Sequence, residues 1–180
     1  ERKRVAIFIP VDISFQDVRD CLHEELAQAL GPLNDLYRVS DSVYNDDNFH
    51  IILTSYDMLL LQIFYAPEFR SGMIKDEVAA LLPAILRRLN PKGIGRTPRQ
   101  LQETPKAWKH AIETALGMRK TTDVRTAAAA RAVRLAKRAR IDDHRLGFSF
   151  YTRARVSASH DPLAAAKDYT RAYAIFLQTF

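Results

Sequence analysis

The residues best suited to binding a ligand are four cations that lie close together between positions 131 and 138. They are Arg131, Arg134, Lys137 and Arg138. Their spacings of three, four and seven residues place them on one side of an α-helix, and no Asp or Glu lies between them in the sequence. Guanidinium groups bind phosphate oxygens in pairs, and clustered cations release counterions from a nucleic-acid backbone. The pattern therefore predicts a helix that contacts the phosphates of DNA or RNA.

The same helix, predicted from about residue 122 to 141, allows two other interpretations. Most charged helix faces are simply hydrated. A basic amphipathic helix can also lie on a membrane surface, but the apolar side here is mostly alanine and buries too little area for an anchor. That apolar side consists of Val124, Ala128, Ala132, Leu135 and Ala139.

Five more cations are predicted to extend the basic surface. Residues 117–121 (GMRKT) separate a predicted helix at about 105–116 from the basic helix, and this arrangement resembles a helix-turn-helix motif. The resemblance implies that the second helix lies in a DNA groove and that residues at its start approach the backbone or base edges. The five cations are Arg119, Lys120, Arg125, Arg153 and Arg155.

The last two of these cations lie in a segment, residues 147–156, that is predicted as a short strand. Alternation along a strand would turn Phe148 and Phe150 toward the core and Arg153 and Arg155 toward solvent. Residues 147–151 (GFSFY) resemble the aromatic core of the longer signature of the RNA recognition motif, which implies base stacking on strand aromatics.

Charge is divided unequally along the chain of 180 residues. Residues 1–90 hold 9 Lys and Arg against 14 Asp and Glu, a net charge of −5, whereas residues 91–180 hold 18 against 7, a net charge of +11. This asymmetry predicts an anionic partner for the second half. An alternative is a structural or assembly subunit, or an interaction module, whose basic half docks on an acidic partner or on the chain's own acidic half.

Hydrophobic spacing predicts the elements that must position these residues. Helical spacing extends over residues 14–30 and 72–89. Short apolar runs and a loose alternation favour strands; the runs are residues 5–9, 49–53 and 58–65, and the alternation covers residues 36–43. The predicted fold class is therefore α+β, in which a strand, a helix and three strands form an N-terminal sheet layer. A mostly helical basic half follows, with a small strand near 147–156 and a C-terminal helix.

The turn-rich segment 90–98 divides the chain into an acidic α/β scaffold lobe, residues 1–90, and a basic, mainly helical lobe, residues 91–180, unless both form one continuous domain. The C-terminal helix opens at Asp161 and Pro162. Its apolar face is expected to pack onto the sheet or onto a second copy, which predicts a homo-oligomer. That face consists of Leu163, Tyr169, Tyr173, Phe176, Leu177 and Phe180.

No specific catalytic, metal-binding or nucleotide motif is found. The five histidines lack metal-ligand spacing, and the single cysteine, Cys21, cannot form an internal disulfide. No apolar run reaches the 18 to 20 or so residues of a membrane span, and residues 5–10 are too short for a secretory signal. The sequence thus predicts a non-enzymatic, intracellular protein, cytoplasmic or associated with nucleic acid, without a cofactor. An enzyme whose catalytic site is assembled from dispersed residues is a further alternative.

Overall fold

The computed structural model describes residues 4–9, 11–12, 14–45 and 50–179. These residues form seven α-helices and one short 3-10 turn, and no β-strand occurs among them. The helices are α1 Phe15–Leu30, α2 Ser55–Phe64, α3 Lys75–Leu89, α4 Lys106–Leu116, α5 Thr122–Arg138, α6 His144–Ser157 and α7 Pro162–Thr179. Contacts divide the chain into two compact units, Glu1–Gln100 and Leu101–Phe180, whereas the sequence placed the boundary after residue 90.

The predicted α+β fold is wrong, because the described part of the chain is all-helical. Two predicted strands are helices: most of residues 58–65 lies in α2, and residues 147–156 lie in α6. An apolar run of four to eight residues fits a buried helix as well as a strand. At α2 the decisive feature is a capping box, in which Thr54 and Asp57 bind each other's backbone amides and so start the helix.

The other predicted strands have no regular secondary structure. Residues 5–9 are largely exposed, with Phe8 at 89% of its maximal accessibility, so this segment is not a buried strand. Residues 36–43 form a series of turns. Within 49–53, Phe49 lies outside the described residues, and the remaining four are irregular.

In the first unit, the fully buried carboxylate of Asp57 joins α2 to the loop before it. Its Oδ1 accepts a hydrogen bond from the Ser42 hydroxyl, and its Oδ2 accepts from the backbone amides of Val43 (3.2 Å) and Thr54 (2.8 Å). A buried carboxylate is tolerated only when its lone pairs are occupied in this way. Asp57 therefore fixes the loop against the start of α2.

The C-terminal end of α1 packs against the same loop. The Tyr44 hydroxyl donates to the carbonyl oxygen of Ala27 at 3.0 Å, and burial together with the charge of Asp57 raises the pKa of Tyr44 to about 12. Gly31 follows α1 at a point of close approach, since a Cβ there would lie 2.7 Å from Leu61 Cδ2. A larger residue at this position would therefore require the side chains of Leu61 and Tyr44 to shift.

In the second unit, α6 is the central helix and packs against α4, α5 and α7. Ten of its fourteen residues are buried. A buried hydrogen-bond chain joins it to α4: Trp108 Nε1 donates to Ser149 Oγ at 2.8 Å, and that hydroxyl donates to the carbonyl oxygen of Arg145. Gly147 lets α7 approach, because a Cβ there would lie 2.6 Å from the Phe176 ring.

We predict that Asp57→Asn destabilises the junction of α1 and α2. An amide nitrogen would replace one acceptor oxygen and face backbone or hydroxyl donors, which costs about 1–3 kcal/mol for each buried group left unpaired. Hydrogen–deuterium exchange of the full chain should show that the free energy of opening of α2 amides falls by this amount. The exposed control Asp12→Asn should leave protection unchanged, and equal exchange in both variants would contradict the role assigned to Asp57.

Candidate nucleic-acid interface

Helix α5, Thr122–Arg138, carries the four cations that the sequence singled out. Alanine, the best helix former, fills much of the helix, while Asp123 in the first turn and Lys137 and Arg138 in the last turn complement the helix dipole. The helix ends at Ala139, and Arg140 follows with a positive φ of 53°, a conformation that cannot continue an α-helix. The cations therefore lie on a well-defined helix rather than on a loop.

One side of α5 is packed inside the second unit. Its buried residues are Ala128, Ala129, Ala132, Val133 and Ala136. Of the predicted apolar side, Ala128 and Ala132 are buried, but Val124 is 45% exposed and Leu135 and Ala139 are only half-buried. The packed arc is rotated from the predicted one because α5 contacts α4 and α6 at the same time.

The opposite side of α5 holds the four cations, all of which are exposed. We call Arg131, Arg134, Lys137 and Arg138 the α5 cations. None of them forms an ion pair with a carboxylate of the described residues. The nearest acidic residue before them on the helix is Asp123, which lies eight residues, or about 12 Å along the axis, from Arg131. The α5 cations thus form a positively charged surface that no carboxylate of the described residues neutralises.

Lys137 differs from the other three α5 cations in its contact with an aromatic ring. Its Nζ lies 5.4 Å from the centroid of the buried Phe150 ring, and Arg153 and Arg171 lie 5.4 and 5.6 Å from the same centroid. Cations at this distance are attracted by the negative face of an aromatic ring. Lys137 therefore borders α6 and α7.

Three of the five additional cations are exposed as well. Arg119 and Lys120 lie in the connection between α4 and α5, and Arg155 lies in the last turn of α6. The second unit therefore exposes seven of the nine predicted residues, which are Arg119, Lys120, Arg131, Arg134, Lys137, Arg138 and Arg155.

The other two predicted residues are engaged in structural contacts. Arg125 Nε donates to the carbonyl oxygen of Ala115 at 2.9 Å, near the end of α4, where helical carbonyls lack partners. Arg153 binds the carboxylate of Asp168 through Nε (2.6 Å) and one Nη (2.7 Å). The strand alternation expected for residues 147–156 is wrong, because on a helix Arg153 and Arg155 point about 160° apart.

Asp168 of α7 was not predicted from the sequence, although its carboxylate forms an ion pair with Arg153. It is buried, with 4% of its surface exposed, and Arg171 also binds it, at 3.1 Å. Burial opposes ionisation, but the hydrogen bonds and charges of Arg153 and Arg171 outweigh burial and lower the pKa of Asp168. The three-residue spacing of Asp168 and Arg171 was visible in the sequence, whereas the pairing with Arg153 depends on the packing of α6 against α7.

A second ion pair, between the buried Arg145 and the half-buried Asp143, was also missed. Arg145 is fully buried and binds Asp143 at 2.6 Å, the carbonyl oxygen of Gln102 at 2.9 Å and the Thr104 hydroxyl at 2.8 Å. Asp143 is also the N-cap of α6, accepting from the Arg145 amide. Its pKa is lowered, because hydrogen bonds and the charge of Arg145 outweigh its burial. This arginine is therefore part of the fold and not of the basic surface.

The two motif resemblances have different outcomes. Residues 147–151 are helical, and Phe148 and Phe150 are buried, so they do not form a stacking strand of the RNA-recognition type. The helices on either side of residues 117–121 exist as α4 and α5 and pack together. Groove binding by α5 stays a prediction.

Two kinds of feature are absent from the described ranges, a metal-binding cluster and a membrane-spanning helix. No group of three or more His, Cys, Asp or Glu side chains there could hold a metal ion. No helix in those ranges is both long enough and apolar enough to cross a bilayer.

Comparison with known proteins assigns no activity to this surface. Residues 1–84, less than half of the chain, match a family described as a protein of unknown function (DUF2927). That match lies within the first unit and does not reach α4–α7. No curated protein and no solved structure matches the chain significantly.

We predict that the second unit loses stability in acid through Asp143 and Asp168. Because the pKa of each is lower in the folded state, their contribution is complete above the ordinary value of 3.8 and is lost as the pH falls below it. Asp168→Asn should lower the free energy of unfolding by about 2 kcal/mol at pH 7, since two arginines lose a charged acceptor.

The measurement is urea unfolding followed by the fluorescence of Trp108, the single tryptophan. The difference between wild type and Asp168→Asn should shrink below pH 3.8, and the exposed control Asp142→Asn should match the wild type at every pH. A difference that stays constant from pH 7 to pH 2 would show that ionised Asp168 does not stabilise the fold.

Proposed function

We propose that this protein is a non-enzymatic nucleic-acid-binding protein that contacts phosphates through the α5 cations. The observation that supports the proposal is their exposure on one side of a single helix, without a carboxylate partner among the described residues. Surface cations that are not neutralised internally keep their charge available for an external anion.

The spacing of the α5 cations suits a polyanion better than a single small anion. Seven residues separate Arg131 from Arg138, a rise of about 10 Å along the helix. Phosphates on one strand of DNA rise by about 3.4 Å each, so the cations extend over about three of them. A strand lying along α5 would therefore meet several arginines at once.

The packing of α5 also fixes the backbone from which these side chains extend. The opposite side of α5 is packed through Ala129, Ala132 and Ala136, each of which is fully buried. Cations on a packed helix lose less conformational freedom on binding than cations on a loop. Arg119 and Lys120 extend the positive charge beyond the start of α5, and their exposure leaves them available to the same strand.

Contacts to phosphate carry no sequence information. The proposal therefore concerns binding to the backbone, with similar affinity for strands of different sequence. Four neutralised phosphates would reduce binding to duplex DNA about 100-fold between 50 and 200 mM salt.

The test is reversal of the four α5 cations to Glu, with binding to fluorescein-labelled DNA and RNA measured by fluorescence anisotropy. The matched control reverses four exposed cations of the first unit, Lys75, Arg87, Lys92 and Arg96. Each set changes the net charge from +6 to −2. We expect the α5 variant to lose at least 100-fold in affinity and most of the salt dependence.

If the position of the charges matters and the net charge does not, the control variant should bind DNA and RNA with nearly the affinity of the wild type. Equal losses in the two variants would reduce the effect to net charge. Unchanged binding in the α5 variant, with its helical content intact by circular dichroism, would reject the proposal.

A second candidate function, self-assembly, is favoured by the outer side of α7. Ala165, Asp168 and Ala172 of this helix are buried. The side away from them exposes Leu163 (77%), Tyr169 (39%), Tyr173 (64%) and Leu177 (65%), while Phe180 lies outside the described residues. An uncharged apolar side of this kind is self-complementary and fits the same side of a second copy across a twofold axis.

For this candidate we predict that Tyr173→Glu shifts the chain toward the monomer. A carboxylate in the centre of the apolar side would face its own copy across the twofold axis, and burying it would be unfavourable. Sedimentation velocity over a range of protein concentrations should show an association in the wild type and in the exposed control Gln178→Glu, but not in Tyr173→Glu. A wild type that remains monomeric at all concentrations would eliminate this candidate.

A further inference from the structure

A second cationic feature of the second unit is a cavity of about 260 Å³ where α5, α6 and α7 meet. Helix α5 contributes Thr126 and Ala130, α6 contributes Arg153, and α7 contributes Lys167 and Arg171. The volume is several times the roughly 30 Å³ that one water molecule occupies in the liquid. A small charged group and the carbon atoms attached to it can therefore enter.

The carboxylates of this cavity are already engaged by protein groups. Asp161 Oδ1 accepts a hydrogen bond from the Ala164 amide at 3.0 Å, and Asp168 is bound by Arg153 and Arg171. Lys167 is exposed and has no ion-pair partner among the described residues. The lining thus holds three Lys and Arg side chains and two carboxylates, so an entering group meets a net positive charge.

The cavity lining also includes a threonine whose hydroxyl lacks a hydrogen-bond partner. Thr126 Oγ1 is buried and makes no hydrogen bond within the described part of the chain, so this side chain must turn toward the cavity to donate to a ligand. Buried hydroxyls are ordinarily paired, because leaving one unpaired costs free energy. A group that accepts from Thr126 inside the cavity would remove this cost.

We infer that the cavity binds a phosphomonoester, and that its source is the terminal phosphate of a nucleic-acid strand lying on α5. A phosphomonoester has three terminal oxygens, and three donors are available to it: the Thr126 hydroxyl, the Lys167 ammonium group and an N–H of Arg171 not used by Asp168. An internal phosphodiester offers only two such oxygens.

The assignment of the phosphate to a nucleic-acid strand rests on the proposed function and on the position of the cavity. Thr126 and Ala130 belong to the helix that carries the α5 cations, and Ala130 directly precedes Arg131. A strand held by Arg131 and Arg134 would bring its end within reach of the cavity. A free mononucleotide has the same phosphate chemistry, so the experiment must separate the two sources.

The experiment compares a 20-nucleotide strand carrying 3′ fluorescein with and without a 5′ phosphate, by fluorescence anisotropy. Adenosine monophosphate and inorganic phosphate are titrated in parallel by calorimetry. The variants are Lys167→Ala and Thr126→Val, and their matched controls are Lys106→Ala and Thr170→Val, both at exposed positions outside the cavity.

We expect the phosphorylated strand to bind about tenfold more tightly than the unphosphorylated one, since charge-assisted hydrogen bonds to the terminal phosphate are added. Lys167→Ala and Thr126→Val should each reduce this preference to about twofold or less, with little effect on the unphosphorylated strand. The two controls should keep the full preference.

Equal binding of the two strands, with both still dependent on the α5 cations, would overturn the inference and leave the proposed function intact. Binding of adenosine monophosphate that depends on Lys167, without binding of either strand, would retain the phosphate site but overturn both the strand as its source and the proposed function.

Discussion

The packing of α5 between α4 and α6 is the constraint on which the rest of the second unit depends. Ala129, Ala132 and Ala136 are fully buried, and this close packing fixes the orientation of α5 about its own axis. That orientation fixes Arg131, Arg134 and Arg138 on the solvent side. The same orientation turns Thr126 and Ala130 toward the cavity between α5, α6 and α7. One packed alanine surface thus determines both the cationic side and the α5 wall of this cavity.

Carboxylates of the second unit decide which of its arginines remain exposed and unpaired. Asp168 engages Arg153 and Arg171, and Asp143 engages the fully buried Arg145. A buried guanidinium without a carboxylate would be strongly unfavourable, so these pairs serve the fold. The exposed arginines of α5 have no such partner among the described residues. A count of basic residues therefore overstates the binding surface.

The sequence predicted the helices in which apolar residues recur at helical spacing over many positions. It did not predict the short elements or the central helix of the second unit. Periodic spacing over 72–89, 105–116 and 122–141 corresponds to α3, α4 and α5. Helix α6 gave no such period, since it is buried on several sides, and its aromatic residues were interpreted as a strand. Exposure of the α5 cations followed from helical geometry alone. The pairings of Arg125 and Arg153 depend on neighbouring helices, so no local pattern could predict them.

Phosphate contacts of the α5 cations can be observed through the arginine Nε–Hε signals in ¹H–¹⁵N spectra, recorded while an oligonucleotide is added to the full chain. We expect the signals of Arg131, Arg134 and Arg138 to shift, and the signals of Arg125 and Arg145, whose side chains are already hydrogen-bonded inside the protein, to stay in place. Shifts confined to arginines outside α5, with those of α5 unmoved, would contradict phosphate binding by this helix.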